Sequence, residues 1–449
     1  MLNFIWLALI LLAVLIGGFD GRIKELTEGA VEGAKMAVTL ALGLIGIMAL
    51  WLGVMRLAEK SGLVQALARG LRPVLRRLFP DVPMDHPAMG AMVMNIAANM
   101  LGLSNAATPL GLRAMRDLES LNRTPGTATN AMCTFLAINT SSVQLIPITA
   151  VAILAAAKSA NPSAIIGTAF LATLCAAMSA ILAVKTFEKL NLLSGRPADP
   201  VAPEAKPLST AASKGNDAAA SRLEAVTVAP MPAWGLAALL LFAGCFICFF
   251  LSLAYPGAVG GRLAAEQAME SGLVRSVKAI SLLAIPFLLA FFPLYAGLRR
   301  VAVYEEFVEG AKEGFNVAVR IIPFLVAMLV AIGMFRGAGG VDLLTRALRP
   351  VLDLVHFPAE LLPISLMRPL SGSASLAIFS ELVKQYGPDH LISRTAGTLY
   401  GSTETTFYVL AVYFGSVGVK RTRHAVPAGL VADAVGVIAS VIICRLVFT

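Results

Sequence analysis

Long apolar stretches recur along the chain, and most of them are long enough to cross a lipid bilayer as helices. A bilayer core about 30 Å thick requires about 20 apolar residues in a helix. Stretches that meet or approach this length lie at residues 4–18, which is the shortest, 36–55, 162–184, 234–254, 277–298, 319–335 and 425–448. The pattern therefore predicts an all-α polytopic membrane protein. Other apolar segments between these stretches are interrupted by polar residues.

Segment 94–111 has the surroundings of a membrane span but contains polar and helix-breaking residues. Asn95 and Asn99 are four residues apart and so share one face of a helix. The residues expected to interrupt that helix are Gly102, Asn105, Thr108 and Pro109. Amide groups and freed backbone groups are costly in hydrocarbon unless they find partners. The asparagines could simply join neighbouring helices, but discontinuous membrane helices are where transporters build binding sites, which favours a polar interior site.

A second interrupted apolar segment covers residues 131–157. Five polar side chains precede Pro147 in its middle, namely Asn139, Thr140, Ser141, Ser142 and Gln144. Hydroxyl groups on a continuous helix can bond to their own backbone, which is the simpler interpretation, but the two amides are not explained by it. We therefore predict a second broken helix, with Asn139, Ser142 and Gln144 as candidate binding residues.

Two membrane halves, residues 1–190 and 231–449, are separated by a polar segment at 191–230 that is rich in Pro, Ala, Ser, Lys and Asp. This composition cannot build a core and predicts a flexible linker. The halves share motifs at a constant separation of 277 residues, since EGAK begins at 32 and 309 and LRPVL begins at 71 and 348. Two motifs in one register indicate an internal repeat.

The repeat predicts two further broken segments in the second half, at residues 361–379 and 401–406. The first contains Arg368, Ser371 and Ser373, and the second contains Ser402, Thr403 and Glu404. Ionisable groups at membrane depth are rare and are usually paired or functional. Arg368 and Glu404 are therefore predicted to face one interior cavity, as partners or as ligands for a charged solute. The alternative is that Arg368 extends to the membrane surface and Glu404 lies at a wet helix end.

Composition and charge exclude several other classes of protein. Hydrophobic residues make up 57% of the 449 and charged residues 14%, which is too apolar for a soluble protein of this length. The net charge of +9 does not indicate nucleic-acid binding, because the basic residues lie mostly between apolar stretches. The first apolar stretch has no basic residue before it and a poor cleavage site after it, so we interpret it as a retained span rather than a signal peptide.

Charged residues also predict how the chain enters the membrane. The charged segment 20–35 is expected to be helical, to lead into the second span without a strong break, and to lie at the membrane interface. A loop rich in basic residues follows the second span, with Glu59 opposing Lys60, Arg69, Arg72, Arg76 and Arg77. Because basic loops stay on the cytoplasmic side, this loop and the N-terminus are predicted to be inside the cell.

The sequence predicts neither an enzyme nor a resident cofactor or metal. The five cysteines fall in or beside apolar stretches, and the four histidines form no ligand pair at helical spacing. The G-x-x-x-x-G-K-[ST] nucleotide-binding motif does not occur. Ser402 and Glu404 beside Arg368 lack the base or metal ligands that a hydrolase needs.

The longest motifs resemble a known family. NIAANMLGLSNAATPLGLRAM at 95–115 resembles the signature region of spore maturation protein A, while RPLSGSAS at 368–375 and GSTETTFYVLAVYFGSVGVKRTRHA at 401–425 resemble that of spore maturation protein B. The chain thus resembles a fusion of the two over about 1–190 and 277–449. Both families carry a nucleoside recognition, or gate, domain that is similar to part of the concentrative nucleoside transporters.

That resemblance implies hairpin-like broken helices around a central solute site, with a gate-like repeat at about 300–449 in the second half. The candidate positions that it implies are Asn95, Asn99, Asn105, Thr108, Ser371, Ser373, Ser402, Thr403 and Glu404. It also favours halves of inverted orientation, although the number of crossings in each half leaves a parallel arrangement open.

The leading functional prediction is a secondary transporter in the cell inner (cytoplasmic) membrane that moves a small polar metabolite, such as a nucleoside or an amino-acid-like solute, by alternating access. A coupling cation, sodium or a proton, would bind beside the solute, with Glu404 as its acceptor. The alternative is a non-transporting membrane scaffold or sensor with a gate-like ligand-binding domain. The predicted partners are a small-molecule solute and membrane lipid, not nucleic acid, and a homo-oligomer is left open.

Overall fold

A computed structural model describes residues 2–83, 85–102, 104–190, 230–259, 270–340, 343, 346 and 357–449. Within these residues the chain is almost entirely helical, and the one extended pairing is an isolated bridge between Thr127 and Arg421. The helices are α1 Leu2–Phe19, α2 Ile23–Lys60, α3 Leu63–Leu78, α4 Pro87–Met100, α5 Ser104–Glu119, α6 Asn130–Ser141, α7 Ile148–Ala156, α8 Ile165–Lys189, α9 Ala233–Ala254, α10 Gly272–Leu298, α11 Val303–Gly337, α12 Leu362–Met367, α13 Gly372–Tyr386, α14 Leu391–Ser402, α15 Thr406–Ser416 and α16 Ala425–Phe448.

The helix order of the first half recurs in the second. A long pair (α1 and α2; α10 and α11) precedes two broken segments (α4–α5 and α6–α7; α12–α13 and α14–α15) and a final span (α8; α16). Helix α9 has no counterpart in the first half. The predicted linker, except for its last residue at 230, lies outside the described residues, and so does the second LRPVL motif.

All seven predicted spans are found as apolar helices. Five helices are long and apolar enough to cross a membrane, and two shorter apolar helices cover Trp6–Phe19 and Leu325–Gly337. No part of the apolar window of α9 is buried within the protein, so its surface is available to lipid tails. The protein is therefore a multi-pass membrane protein.

Helices α2 and α11, which occupy equivalent places in the two halves, pack closely and run in opposite directions. Gly29 faces Gly333 and Gly33 faces Leu329, whereas Ala49, nearer the C-terminal end of α2, faces Gly314 near the start of α11. A Cβ atom added at any of these glycines would overlap the facing backbone. Small residues four apart allow such close packing in membranes. Because equivalent helices are antiparallel, the halves are inverted relative to each other.

Ion pairs hold both ends of this helix pair. Arg56, near the end of α2, lies 2.7 Å from Glu306, near the start of α11. Arg336, at the end of α11, lies 3.8 Å from Glu32 in the early part of α2, and it pairs more closely with Glu381 of α13.

One expectation about the first half is confirmed and another is corrected. The charged segment 20–35 is helical and, from Ile23, continuous with α2 as predicted, and its Gly29 and Gly33 pack against α11. Its position at the membrane interface stays a prediction. The basic stretch after α2 is not a loop, because α3 buries Val64, Ala68 and Leu75 on one face. These residues recur at helical spacing, and the arginines occupy the opposite face.

Loops at the ends of the broken segments are joined across the two halves. The Asp389 carboxylate, between α13 and α14, accepts hydrogen bonds from the Ser159 hydroxyl at 2.7 Å and the Ala160 backbone N–H at 2.9 Å. Arg394 donates to the same carboxylate at 3.2 Å. Burial raises the pKa of Asp389, but these hydrogen bonds and the charge of Arg394 outweigh it and lower the pKa below its usual value.

The loop between α5 and α6 is joined in the same way to the loop between α15 and α16, here by neutral backbone groups and one arginine. Ala128 N–H donates to Arg421 O at 2.9 Å, and Arg421 N–H donates to Gly126 O at 3.0 Å. Arg423 donates to Ala128 O at 3.1 Å and to the Asn130 side chain at 2.8 Å. Each broken segment is thus held at its outer end by the opposite half.

Candidate functional site

The four breaks meet in the interior. The segment between α14 and α15 is extended, and the Glu404 N–H within it donates to Thr140 O in the last turn of α6 at 2.8 Å. Phe407 N–H donates to Pro369 O in the break between α12 and α13 at 3.0 Å. The Leu145 N–H, between α6 and α7, donates to Met100 O at the end of α4 at 3.0 Å. Backbone groups freed at one break therefore bond to another break, as lipid-buried backbone requires.

A cavity of about 200 Å³ lies where these breaks converge. Each break contributes to its lining, which includes Gly102 (α4–α5), Gln144 (α6–α7), Arg368 (α12–α13) and Glu404 (α14–α15). Tyr400 and Gly401, at the end of α14, complete one wall. A side chain at position 401 would collide with Pro147, so this glycine permits the close approach of the two halves.

Arg368 is buried at the cavity wall with only 4% of its side chain exposed. Its guanidinium donates to Thr403 O and lies 4.5 Å from the centroid of the Tyr400 ring, over its face. Such a cation–π contact is favourable where water is excluded. Arg368 therefore does not extend out of the protein, and the part of the alternative interpretation that concerns Arg368 is wrong.

Glu404 faces Arg368 across the cavity but is not bonded to it closely. Arg368 Nη2 and Glu404 Oε2 are 3.9 Å apart, whereas Gln144 donates to Glu404 Oε1 at 2.9 Å. The Glu404 side chain is 37% exposed, and it belongs to the cavity lining. The prediction that Arg368 and Glu404 face one interior cavity is therefore confirmed. Their loose pairing leaves a donor and an acceptor that a solute could engage.

A network of neutral groups lies beside the cavity. The Asn99 amide donates to Asn139 Oδ1 at 2.9 Å, and the Tyr413 hydroxyl donates to the same oxygen at 3.4 Å. Asn95, fully buried, donates to Tyr413 at 3.3 Å and to Ala107 O at 2.7 Å. Asn95 thus joins α4 to α5 and α15, as expected for an amide that holds helices together.

The remaining predicted residues are arranged around the breaks rather than in the cavity lining. Ser371 caps α13 by accepting from Ala374 N–H at 3.2 Å, and Ser373 lies 3.2 Å from Ser371. Ser402 donates to Leu399 O at 2.8 Å within α14. Ser142 ends α6 with a φ of 27°, and the Thr173 hydroxyl donates to its carbonyl at 3.0 Å. A role of these residues in binding stays a prediction.

The first break is shorter than the sequence suggested. It lies at Leu101 and Gly102, where Gly102 has a φ of 76°. One glycine in this left-handed conformation is enough to interrupt the helix. Thr108 and Pro109 lie within α5 instead of interrupting it, and so does Asn105, whose side chain is outside the described part of the structure.

Three residues of this region are absent from the sequence-based candidates. Tyr400 and Tyr413 carry no sequence signal of their own, because their roles depend on Arg368 and the asparagines being brought to them. Asp433, buried in α16 with 4% of its surface exposed, had a signal. It is a lone acidic residue within the apolar stretch 425–448, and such residues are functional candidates by default.

A known protein family matches the part of the chain that lines the cavity. The family model of the gate domain, described as nucleoside recognition, matches residues 41–158 and 318–420. These segments contain the whole cavity lining. The solved structure of Neisseria gonorrhoeae MtrF, described as one of a class of antimetabolite efflux pumps, aligns with 96% of this chain and 85% of its own, at 17% identity and a TM-score of 0.46.

Two curated relatives come from Bacillus subtilis (strain 168). Spore maturation protein B is 48% identical over 169 residues, which are 38% of this chain and 95% of that protein. Spore maturation protein A is 41% identical over 196 residues, 44% of this chain and 100% of that protein. Nearly the full length of each relative is therefore matched, and the chain belongs to the family of spore maturation proteins A and B, with its gate domain in two segments.

Proposed function

We propose that this protein is a secondary transporter of the cell inner membrane that carries a small polar metabolite through the cavity at the four breaks. The observation that carries the proposal is the convergence of all four breaks on one cavity with a loosely paired Arg368 and Glu404. The gate-domain match over the same residues supports it. Broken helices at the interface of inverted repeats are the usual place for a transporter site.

The cavity favours a small solute with both donor and acceptor groups. Its volume of about 200 Å³ is below the range of about 300–1,000 Å³ that is typical for drug-sized ligands. The Arg368 guanidinium can donate to a carbonyl or carboxylate, while Glu404 and the Gln144 carbonyl can accept from amino, amide or hydroxyl groups. Nucleosides and amino-acid-like metabolites both meet these requirements. No catalytic step is proposed.

Transport would follow from the inverted repeat. Each half contributes two of the breaks that enclose the cavity, and the halves meet along α2 and α11. Rocking of one half against the other along this contact would open the cavity first to one side of the membrane and then to the other. A coupling cation would bias this movement without any nucleotide hydrolysis.

A ligand screen with a matched pair of variants tests the proposal. The purified protein is heated with nucleosides, amino acids and small carboxylates, and the test is repeated on Glu404→Gln and on Glu305→Gln, the same change at an exposed residue of α11. A solute at 100 times its Kd should stabilise the wild type and Glu305→Gln by about 2.7 kcal/mol. Glu404→Gln should show little or no stabilisation.

Flux measurements then separate transport from ligand sensing. Proteoliposomes with the wild-type protein should take up the solute identified by the screen, and vesicles with Glu404→Gln should not. A solute that stabilises the protein but never crosses the vesicle membrane would favour the scaffold or sensor. If no solute stabilises the wild type, the cavity is not a solute site.

A further inference from the structure

A buried aspartate lies outside the cavity but next to one of its breaks. Asp433 is eight residues from the start of α16, about 12 Å along the helix. With 4% of its surface exposed, it is inside the protein at membrane depth. The next charged residue of α16, Arg445, is three turns further on. A carboxyl group in this position is costly unless the protein uses it.

Hydroxyl groups from the break between α14 and α15 surround this carboxyl. The Thr406 hydroxyl donates to Asp433 Oδ2 at 2.5 Å, and the Thr403 side chain interacts with the same carboxyl through a weaker hydrogen bond. The other oxygen, Oδ1, is buried and has no hydrogen-bond partner among the described residues. Gly429 and Gly436, one turn before and after Asp433, give room to Thr406 and Thr403. This face of α16 is therefore shaped to receive the break.

No cation neutralises Asp433 directly in the described structure. Helices α6 and α15, which pack against α16, contain no charged residue, and α8 has its charges only in the last five residues. Arg394 of α14 pairs with Asp389, and α10 has Arg275 and Lys278 near its start. Arg368 acts on Asp433 through space, but its guanidinium donates to Thr403 O and faces Glu404.

We propose that Asp433 is a proton-binding site, with the proton added at the unpartnered Oδ1. Thr406 can keep donating to Oδ2 whether or not that proton is present, so only Oδ1 changes its bonding. The neutral acid removes a buried negative charge, and release of the proton restores it. No other reactant is needed.

The break between α14 and α15 connects this site to the cavity. Thr403 and Glu404 are adjacent in an extended segment, with Thr403 beside Asp433 and Glu404 in the cavity lining. Successive side chains of an extended segment point in opposite directions, so movement of one backbone segment displaces both. Resting on the transport proposed above, this connection makes Asp433, and not Glu404, the group through which a proton gradient drives solute movement.

Infrared difference spectroscopy of the purified protein in sodium-free detergent tests the proton site without any transport assay. Lowering the pH from about 8 to about 6, a range in which exposed carboxylates stay ionised, should produce the C=O band of a protonated carboxylic acid in the wild type and in Glu404→Gln. The band should be missing in Asp433→Asn. In Thr406→Val the band should shift, because the hydroxyl bonded to Oδ2 is gone. The shift keeps the test decisive even if Asp433→Asn does not fold.

Three results would overturn the proton site. These are a band that persists in Asp433→Asn, a band that Glu404→Gln abolishes, and a wild-type band that sodium removes at constant pH, which would make the site a sodium site.

Uptake into vesicles separates this inference from the transport proposal. Wild-type uptake driven by a pH gradient, with gradient-independent exchange in Asp433→Asn, supports both. If Asp433 gives the band but no solute is taken up, the proton site is supported and the transport proposal is refuted. If solute is taken up but the band comes from another residue, transport is supported and the proton site at Asp433 is refuted.

Discussion

The breaks of the first half and those of the second differ in chemistry although they have the same place in the repeat. Asn95, Asn99 and Asn139 in the first half form neutral hydrogen bonds to one another, to Tyr413 and to backbone. The second half supplies Arg368 and Glu404. Equivalent breaks of the inverted repeat thus carry different side chains. We infer that the three asparagines stabilise the meeting of the breaks and that Arg368 and Glu404, with Gln144, bind the solute.

The largest effect on stability is expected from disrupting the packing of α2 against α11, which joins the two halves. Gly333→Val would push a side chain into the backbone of Gly29 on α2, and overpacking of a tight contact costs about 1–3 kcal/mol or more. We expect Gly333→Val to lower the thermal unfolding temperature strongly and to reduce the yield of folded protein. Gly46→Val on α2, where a Cβ meets open space, is the control and should behave like the wild type. Equal stability of the two variants would show that α2 and α11 do not pack as described.

The second effect concerns the charged half of the comparison. Arg368→Met should weaken solute binding by about 10- to 100-fold, because a hydrogen bond to a charged group contributes about 1.5–3 kcal/mol. Arg69→Met, at an exposed position of α3, removes the same charge away from the cavity and should bind the solute normally. The measurement is the solute concentration needed for half-maximal thermal stabilisation. Unchanged binding in Arg368→Met would assign Arg368 a structural role.

The third effect concerns the neutral half. Asn95→Ala removes a donor that lies 2.7 Å from Ala107 O and 3.3 Å from the Tyr413 hydroxyl, which keeps its bond to Asn139. A buried acceptor that loses its donor costs about 1–3 kcal/mol. We expect a lower free energy of unfolding but a solute affinity close to that of the wild type. Stability and affinity are measured on the same preparation. A variant of normal stability that fails to bind solute would place Asn95 in the site and remove the contrast between the halves.

The contrast was only partly predictable from the sequence. The seven spans and four breaks were found because hydropathy and the positions of Gly, Pro and polar residues are local signals. The partners were not, since Tyr413 reaches Asn95 and Asn139 only through the tertiary fold. The extent of the first break was overestimated because Gly102 turns the chain and the helix resumes at Ser104. Asp433 could have been found by applying to α16 the rule that singled out Arg368 and Glu404.

The smallest effect is a pH dependence that distinguishes the two connections between loops. The folded-state pKa of Asp389 is below its usual value of 3.8, so its carboxylate stabilises the folded protein above that value and loses this effect as the pH falls through the folded-state pKa. With 38% of the side chain exposed, the contribution is limited to about 0.2–1 kcal/mol. Asp389→Asn should therefore be slightly less stable than the wild type at neutral pH, and the difference should narrow below about pH 4. Arg423→Gln, at the equivalent connection, should show a deficit that persists below about pH 4, because the bonds that it loses, to Ala128 O and the Asn130 side chain, do not depend on the Asp389 carboxylate. Thermal unfolding of both variants from neutral to acid pH checks this, and a deficit of Asp389→Asn that is independent of pH would mean that the carboxylate charge does not hold the loops together.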